Sequence, residues 1–194
     1  MYSQNQEEHY IIDHFKDFTG RFLEIGAFDG KTFSNCFAIS EKGWSGVCIE
    51  PSPGPFAGLM RNYDGNNNVK LVNAAISYKG AGLIEFADSR GDAISSTSAA
   101  HEARWKSYAS FQHIYVNTIS VGDVMHTFGE HYDFISLDVE GTNVEILQTI
   151  PLKIINPSLI CIEHEERFEE ILNYCKGYSE IHRNGENLIL KRNG

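Results

Sequence analysis

Nothing in this chain restricts its fold as much as Phe22-Leu23-Glu24-Ile25-Gly26-Ala27-Phe28-Asp29-Gly30, an apolar run that breaks into a bend with glycines four residues apart, ahead of a helix-compatible stretch. The pattern predicts a strand, a tight loop and a helix start. Gly26 and Gly30 admit backbone angles closed to other residues, and Gly26 is expected to let a ligand lie against the main chain. A bend of this kind at the carboxyl end of a strand is where open α/β sheets hold a cofactor.

Three ligand chemistries compete for such a loop. A P-loop needs G-x-x-x-x-G-K-[ST]; Gly26 to Thr32 falls one residue short and places Glu24 and Asp29 beside the phosphates with only Lys31 to offset them. A dinucleotide site needs G-x-G-x-x-G, and Phe28 stands where the middle glycine belongs. A cofactor with a cationic end and a ribose suits the carboxylates, and S-adenosylmethionine has that chemistry. Glu50 closes the next apolar run, Gly46-Val47-Cys48-Ile49, twenty residues beyond Gly30, the usual place of an acid that accepts both ribose hydroxyls. Alone, Glu50 reads more simply as a solvated loop glutamate; paired with the Glu24-x-Gly26 loop, it reads as the ribose ligand.

The 194 residues suffice for one α/β domain that buries about 70% of its unfolded surface. No linker-like stretch divides them, so residues 1–194 are read as a single domain with residues 1–20 as an N-terminal helical extension. Hydrophobic residues at 42% exclude a disordered chain. No run approaches a membrane span, and Met1 to Glu8 lacks the basic-then-apolar order of a signal peptide, so a cytoplasmic location is expected. A formal charge of −10 argues against nucleic acid and against a membrane surface as partners, since both need clustered Lys and Arg. Cys36, Cys48, Cys161 and Cys175 show no C-x-x-C spacing and read as core thiols of a reducing compartment.

Along the chain, Ser3 to Phe18 is expected to be an amphipathic helix capped by Ser3, with Tyr10, Ile11, His14, Phe15 and Phe18 on one face. Helices are also expected over Thr32–Lys42, Phe56–Tyr63, Val121–Phe128, Asn143–Ile150 and Phe168–Tyr174. Strands are expected over Val69–Val72, ending in the small residues Asn73-Ala74-Ala75, then over Gly82–Phe86, His113–Thr118, Phe134–Leu137 and Leu159–Ile162. Ser89 to Ala100 reads as a polar, mobile loop. A hairpin turning at Asn184-Gly185 closes the chain. Strands alternating with helices before an antiparallel hairpin predict an α/β fold with a mostly parallel sheet and helices on both faces.

With these elements in place, nearly the whole sequence resembles the FkbM-type family of S-adenosylmethionine-dependent methyltransferases. The similarity lies in Tyr2-Ser3-Gln4 with Glu7-Glu8, the loop Glu24 to Gly30, Gly43-Trp44 before Cys48-Ile49-Glu50-Pro51, and Asp138-Val139-Glu140-Gly141 with Leu147. The resemblance implies a Rossmann-like class I methyltransferase with a seven-stranded sheet. It implies Glu24, Gly26, Ala27, Phe28, Asp29 and Gly30 beside the methionine part, Glu50 and Pro51 at the ribose, Asn73 and Ala74 by the adenine, and Asp138 at the same crevice. It further implies a small-molecule or glycan substrate methylated on a hydroxyl, often of a sugar, and a fused or associated glycosyltransferase as a partner in some relatives. Phe28 departs from the family loop, which commonly has Asn there.

A hydroxyl needs a base to become a nucleophile. Asp138, Glu163 and His164 end two predicted strands flanking the crevice and are the candidate catalytic residues, Asp138 and His164 jointly preferred. The same three residues are a candidate divalent-metal set, though a metal is not favoured. The alternative has His164 capping the next helix and Glu163 pairing with Arg167. Lys31, Ser95, Ser96, Trp105 and Glu140 are candidate acceptor contacts near the mouth. A cofactor-binding module without turnover, or a methyltransferase domain cut from a larger glycosyltransferase, is the alternative function, and a P-loop-like nucleotide binder the distant one.

Overall fold

The computed structural model describes residues 1–194. In order, the elements are α1 (Glu7–Phe15), β1 (Arg21–Ile25), α2 (Phe37–Ser40), β2 (Ser45–Ile49), α3 (Pro53–Asn62), β3 (Val69–Val72), β4 (Ala75–Ile76), β5 (Gly82–Asp88) and α4 (Ala99–Trp105). There follow β6 (Gln112–Ile119), α5 (Val121–Phe128), β7 (Phe134–Leu137), α6 (Asn143–Leu147), α7 (Leu152–Ile155), β8 (Leu159–Glu163), α8 (Phe168–Tyr174), β9 (Tyr178–Arg183) and β10 (Asn187–Arg192).

Seven strands form one sheet in the order β3-β2-β1-β7-β8-β10-β9, parallel from β3 to β8 and antiparallel at β10 and β9. The expected α/β architecture, with its closing hairpin, is therefore present. Both faces of the central strands are buried, as a parallel sheet requires. Leu23, Ile25, Val47, Ile49, Ile135, Leu137, Ile160 and Ile162 point to one face and join the helices α5, α6 and α8 in the larger core cluster. Phe22, Cys48, Phe134 and Cys161 alternate to the other face and pack with Ile11, Trp44 and Leu59. A second sheet, in the order β4-β6-β5, stands apart and presents Ala75, Phe86 and Val116 in a small core of its own. No helix is long and apolar enough to cross a membrane.

Several helices differ from their expected bounds. The first covers Glu7–Phe15, with Gln6 at the N-cap position making no side-chain bond, while Ser3 Oγ accepts the first-turn N–H of Glu8 at 3.1 Å. Its buried side is Glu7, Glu8, Ile11 and Phe15, whereas Tyr10 is exposed and stacks on His182, and Phe18 lies outside the helix. The second helix shrinks from Thr32–Lys42 to Phe37–Ser40. Local side chains cause this: Asp29 Oδ1 accepts the N–H groups of Lys31 and Thr32, and Ser34 Oγ accepts those of Cys36 and Phe37, so the chain turns before it can coil. The sixth helix ends at Leu147 instead of Ile150. The polar stretch Ser89 to Ala100 is anchored, with Ala87 and Ser96 exchanging backbone hydrogen bonds and Ser98 capping α4.

Candidate functional site

The carboxyl ends of β1, β2, β3 and β7 open onto a cleft. Its wall holds Glu24, Gly26, Ala27, Phe28, Glu50, Pro51, Ala74, Ser95, Asp138 and Glu140 among the residues expected from sequence. Five carboxylates line it (Glu24, Glu50, Asp92, Asp138 and Glu140), and no Lys, Arg or His does. That charge pattern is the opposite of a phosphate cradle.

At the end of β1, Gly26 adopts φ +84°, and a Cβ there would overlap the carbonyl oxygen of Asp138. The close approach that Gly26 permits on this side is from the residue that follows β7, and Gly26 also lines the cleft. Asp138 N–H donates to Ile25 O at 2.9 Å, and the Gly26 and Ala27 N–H groups both donate to Ile49 O at 3.0 Å. The tips of three strands are pinned together at this glycine.

Glu50 ends β2, 6% exposed. Its Oε2 accepts the N–H of Phe28 at 2.9 Å and its Oε1 that of Ser52 at 2.7 Å, which orients the carboxylate toward the cleft. The Phe28 bond also holds a residue with φ +50°, an uncommon conformation for a side chain of that size. Burial pushes the Glu50 carboxyl up to about 7 against the lowering effect of these two bonds. Glu24 is 3% exposed, accepts from Ser34 Oγ at 2.8 Å, and is likewise raised to about 7 by burial.

Asp138 Oδ1 is shielded from solvent and has no hydrogen-bond partner. Burial, then the charge of Glu140, lifts its carboxyl to about 8. Carboxylate oxygens of Asp138, Glu140 and Glu163 lie within 4.8 Å of one another. Glu140 and Glu163 are both held above the carboxylate range by burial and neighbouring acids, and Asn143 Nδ2 donates to Glu163 Oε2 at 2.7 Å. Glu140 takes φ +56°, and its Oε2 lies 3.4 Å from His101 Nε2 on α4.

Other expected site residues fall elsewhere. His164 is buried behind the cleft: its Nδ1 accepts the Glu166 N–H at 3.1 Å, and its Nε2 faces Asn184 O at 3.2 Å. With Nδ1 accepting, Nε2 must donate, so both ring nitrogens are spent on the chain and neither is free to take a proton from a substrate. His164 also lies outside the carboxylate trio, so the candidate metal set becomes Asp138, Glu140 and Glu163. Arg167 pairs with Glu145 and Glu170, not Glu163. Asp29 closes the turn over Lys31 and Thr32, and Gly30 faces Leu59 and Tyr63. Lys31 is exposed, its ammonium 5.8 Å from the Tyr2 ring centre. Asn73 Nδ2 bridges Glu50 O and Pro51 O. Ser96 Oγ donates to Glu140 O, and Trp105 packs against Tyr108 at the end of α4. None of these other expected residues lines the cleft. Sequence reasoning missed Gln4, Asn35, Phe86, Thr97 and Ser136, all of which do. Of these only Gln4 stands in a pattern that the sequence singles out, Tyr2-Ser3-Gln4; nothing local marks the others.

Raised carboxyls in the fold have a thermodynamic signature. Glu24, Glu50 and Asp138 hold their protons to about pH 7, 7 and 8 when folded, whereas the unfolded chain releases them near pH 4. Between those limits the folded state binds more protons, so stability falls as pH rises. The melting temperature is expected to be several degrees higher near pH 5.5 than at pH 8.5. A scan in which it rises over that interval would show these acids to be solvated or ion-paired.

A family model described as "Methyltransferase FkbM domain" matches residues 24–183. No curated protein matches the chain in sequence. Among solved structures, the chain is similar to the ribosomal protein L11 methylase of Lactobacillus delbrueckii subsp. bulgaricus (TM-score 0.55, 10% identity, covering 97% of this chain and 78% of that one). It is also similar to the putative methyltransferase yhhF of Escherichia coli (TM-score 0.54, 12% identity, 99% and 89%) and to the METTL16 MTase domain (TM-score 0.56, 13% identity, 96% and 66%). At these identities the likeness is one of fold.

Proposed function

This chain belongs to the FkbM methyltransferase domain family, and from that premise we propose that it moves a methyl group from S-adenosylmethionine to a hydroxyl, that of a sugar in a glycan or glycosylated product. The observation that carries the donor assignment is the cleft's side-chain set: five acids, whose ionised forms a bound cation favours, and no basic side chain suit a cationic ligand and disfavour a triphosphate. The residues present fit the donor. Glu50, fixed by two backbone N–H groups, is placed to accept ribose hydroxyls, and the small or apolar Ala74, Ala75, Ile76 and Phe86 offer a flat-walled recess for a base. The donor, when bound, supplies a methyl group activated by a sulfonium.

The chain's own contribution is orientation and proton removal. Holding two reactants in line is worth roughly 7 to 11 kcal/mol of barrier, and the strand tips pinned at Gly26 make a rigid floor for it. Asp138 Oδ1, unpartnered and in the wall, is the base: a carboxyl raised to about 8 by burial accepts a hydroxyl proton far better than one left at the usual value. Glu140 and Glu163 lie close enough to share that proton. A sugar acceptor is supported by the neutral hydrogen-bonding groups Gln4, Thr32, Thr97 and Thr142 along the wall, together with the family resemblance.

Transfer of labelled methyl from S-adenosylmethionine to a panel of glycosides and glycans tests the proposal. Label appearing in alkali-stable ether linkage on a sugar is the expected result; label on an amine, or none on any acceptor, overturns it. The all-oxygen trio Asp138, Glu140 and Glu163 would suit a hard divalent cation, so the assay is repeated in excess chelator. A carboxylate base working alone predicts undiminished turnover there, and loss of turnover reassigns the trio to a metal.

A further inference from the structure

Beside the cleft lies a second, smaller recess, and the inner face of β5 runs from one into the other. Phe86 lines the cleft, and Ile84, two residues away on the same face of the strand, lines the recess, so the two spaces are about 7 Å apart along β5. Ile76, Thr97 and Thr142 line both and form the divide between them. That divide is fixed in place. A Cβ on Gly141 would meet those of Ser98 and His101, and Ser96 Oγ donates to Glu140 O, so the stretch carrying Thr97 packs directly on the one carrying Thr142.

Hydroxyls and hydrocarbon share the lining of the recess. Ser77 Oγ accepts the Lys79 N–H at 3.1 Å and keeps its own hydrogen to give. Thr118, 6% exposed, gives its hydrogen to Gly80 O at 2.9 Å and keeps oxygen lone pairs to accept with. The Thr142 side chain makes no capping bond on α6, and Ser96 and Ser98, not Thr97 between them, carry the side-chain bonds of their stretch. Ile76 and Ile84 supply the apolar wall. One small space therefore offers hydrogen-bond donors, an acceptor and a hydrocarbon surface. A plain hydroxyl placed there would leave the isoleucines uncovered, and the methyl of a deoxy sugar would leave the hydroxyls without partners. An acetamido group answers all three: its carbonyl accepts, its N–H donates and its methyl covers the isoleucines.

We infer that this recess receives the acetamido group of the acceptor, which makes the acceptor an N-acetylhexosamine unit. The inference rests on the sugar acceptor proposed above and goes further by naming the substituent and assigning Ile84, Thr97 and Thr118 to its selection.

Acceptor pairs that differ only in this group provide the test: a glucoside against the N-acetylglucosaminide, and a galactoside against the N-acetylgalactosaminide, each with labelled S-adenosylmethionine and the full chain. In the pair whose sugar fits, the N-acetylated member is expected to show kcat/KM higher by about 10- to 100-fold, the range for burying a methyl group and making one or two hydrogen bonds. Ile84→Phe, which fills the recess, is expected to abolish that preference. Thr97→Val keeps the shape of a residue whose hydroxyl bonds nothing in the protein; it is expected to lower the preference several-fold, and it decides the matter if Ile84→Phe fails to fold. A wild-type enzyme that methylates both members equally, or the plain hexoside better, overturns this inference alone, as does label on other sugars but on neither pair. A preference undiminished in a folded Ile84→Phe or in Thr97→Val overturns the placement in the recess. Label on no sugar at all overturns the acceptor reading as well.

Discussion

Gly26→Ala is expected to cost the protein its donor site and a large part of its stability. The position has φ +84°, and the added methyl would occupy the space of the Asp138 carbonyl oxygen. Backbone cannot step aside here as a flexible side chain could. Asp138 N–H is bonded to Ile25 O, and Gly26 and Ala27 are bonded to Ile49 O, so relief means parting β1 from β7 at the centre of the sheet. The left-handed conformation costs an alanine about 1 kcal/mol, and overpacking a rigid interior about 1 to 3 kcal/mol or more. Against a total of roughly 5 to 15 kcal/mol, that is a large share. Thermal denaturation is expected to show a drop on the order of 10 °C, and calorimetry no detectable adenosylhomocysteine binding. Wild-type values in both would mean that the strand tips do not meet as described.

Asp138→Asn separates chemistry from binding. The replacement keeps size and shape but cannot take a proton, so turnover is expected to fall by about 10²- to 10⁴-fold. Adenosylhomocysteine affinity should stay within a few-fold, since Asp138 is assigned to the proton and not to the donor's charged end. Stability at pH 8 should not drop, because the variant removes a buried carboxyl that burial already holds near neutrality at about 8. In the wild type the rate should climb with pH as the Asp138 cluster loses its proton and level off above about pH 8; the variant should lack that limb. A variant with full turnover and an unchanged profile removes Asp138 as the base. Parallel loss of turnover and donor affinity would instead move Asp138 to the binding role.

Much of the frame was legible beforehand because it depends on local chemistry. Phe134–Leu137, Val121–Phe128 and Phe168–Tyr174 occur at the expected bounds. A four-residue apolar run has little alternative to a buried strand, and Ser120 with Asp123 forms a reciprocal cap on α5. The shortening of the second helix was hidden because Asp29 and Ser34, which look like ordinary helix-start residues, each capture two backbone N–H groups of their own loop. His164 looked like a base by its pKa class and its place at a strand end. Its engagement with Asn184 depends on the hairpin twenty residues later, which no local pattern announces.

The cleft divides the same way. Glu24, Gly26, Glu50 and Asp138 lie at the ends of strands that periodicity identifies, so their arrival at one edge follows from a parallel sheet, whose strands all point their carboxyl ends the same way. Asn35, Gln4, Phe86 and Thr97 reach the same space from a loop, the N-terminal segment, a separate sheet and the position after Ser96, which bridges to that sheet. Sequence by itself determined which strand tips carry acids and where the chain must bend, because strand period and glycine conformation are properties of a few neighbouring residues. Tertiary structure alone decided which acids lose water, which polar atoms are left without partners and what covers them, because burial is set by segments as distant along the chain as Glu7 and Asn187.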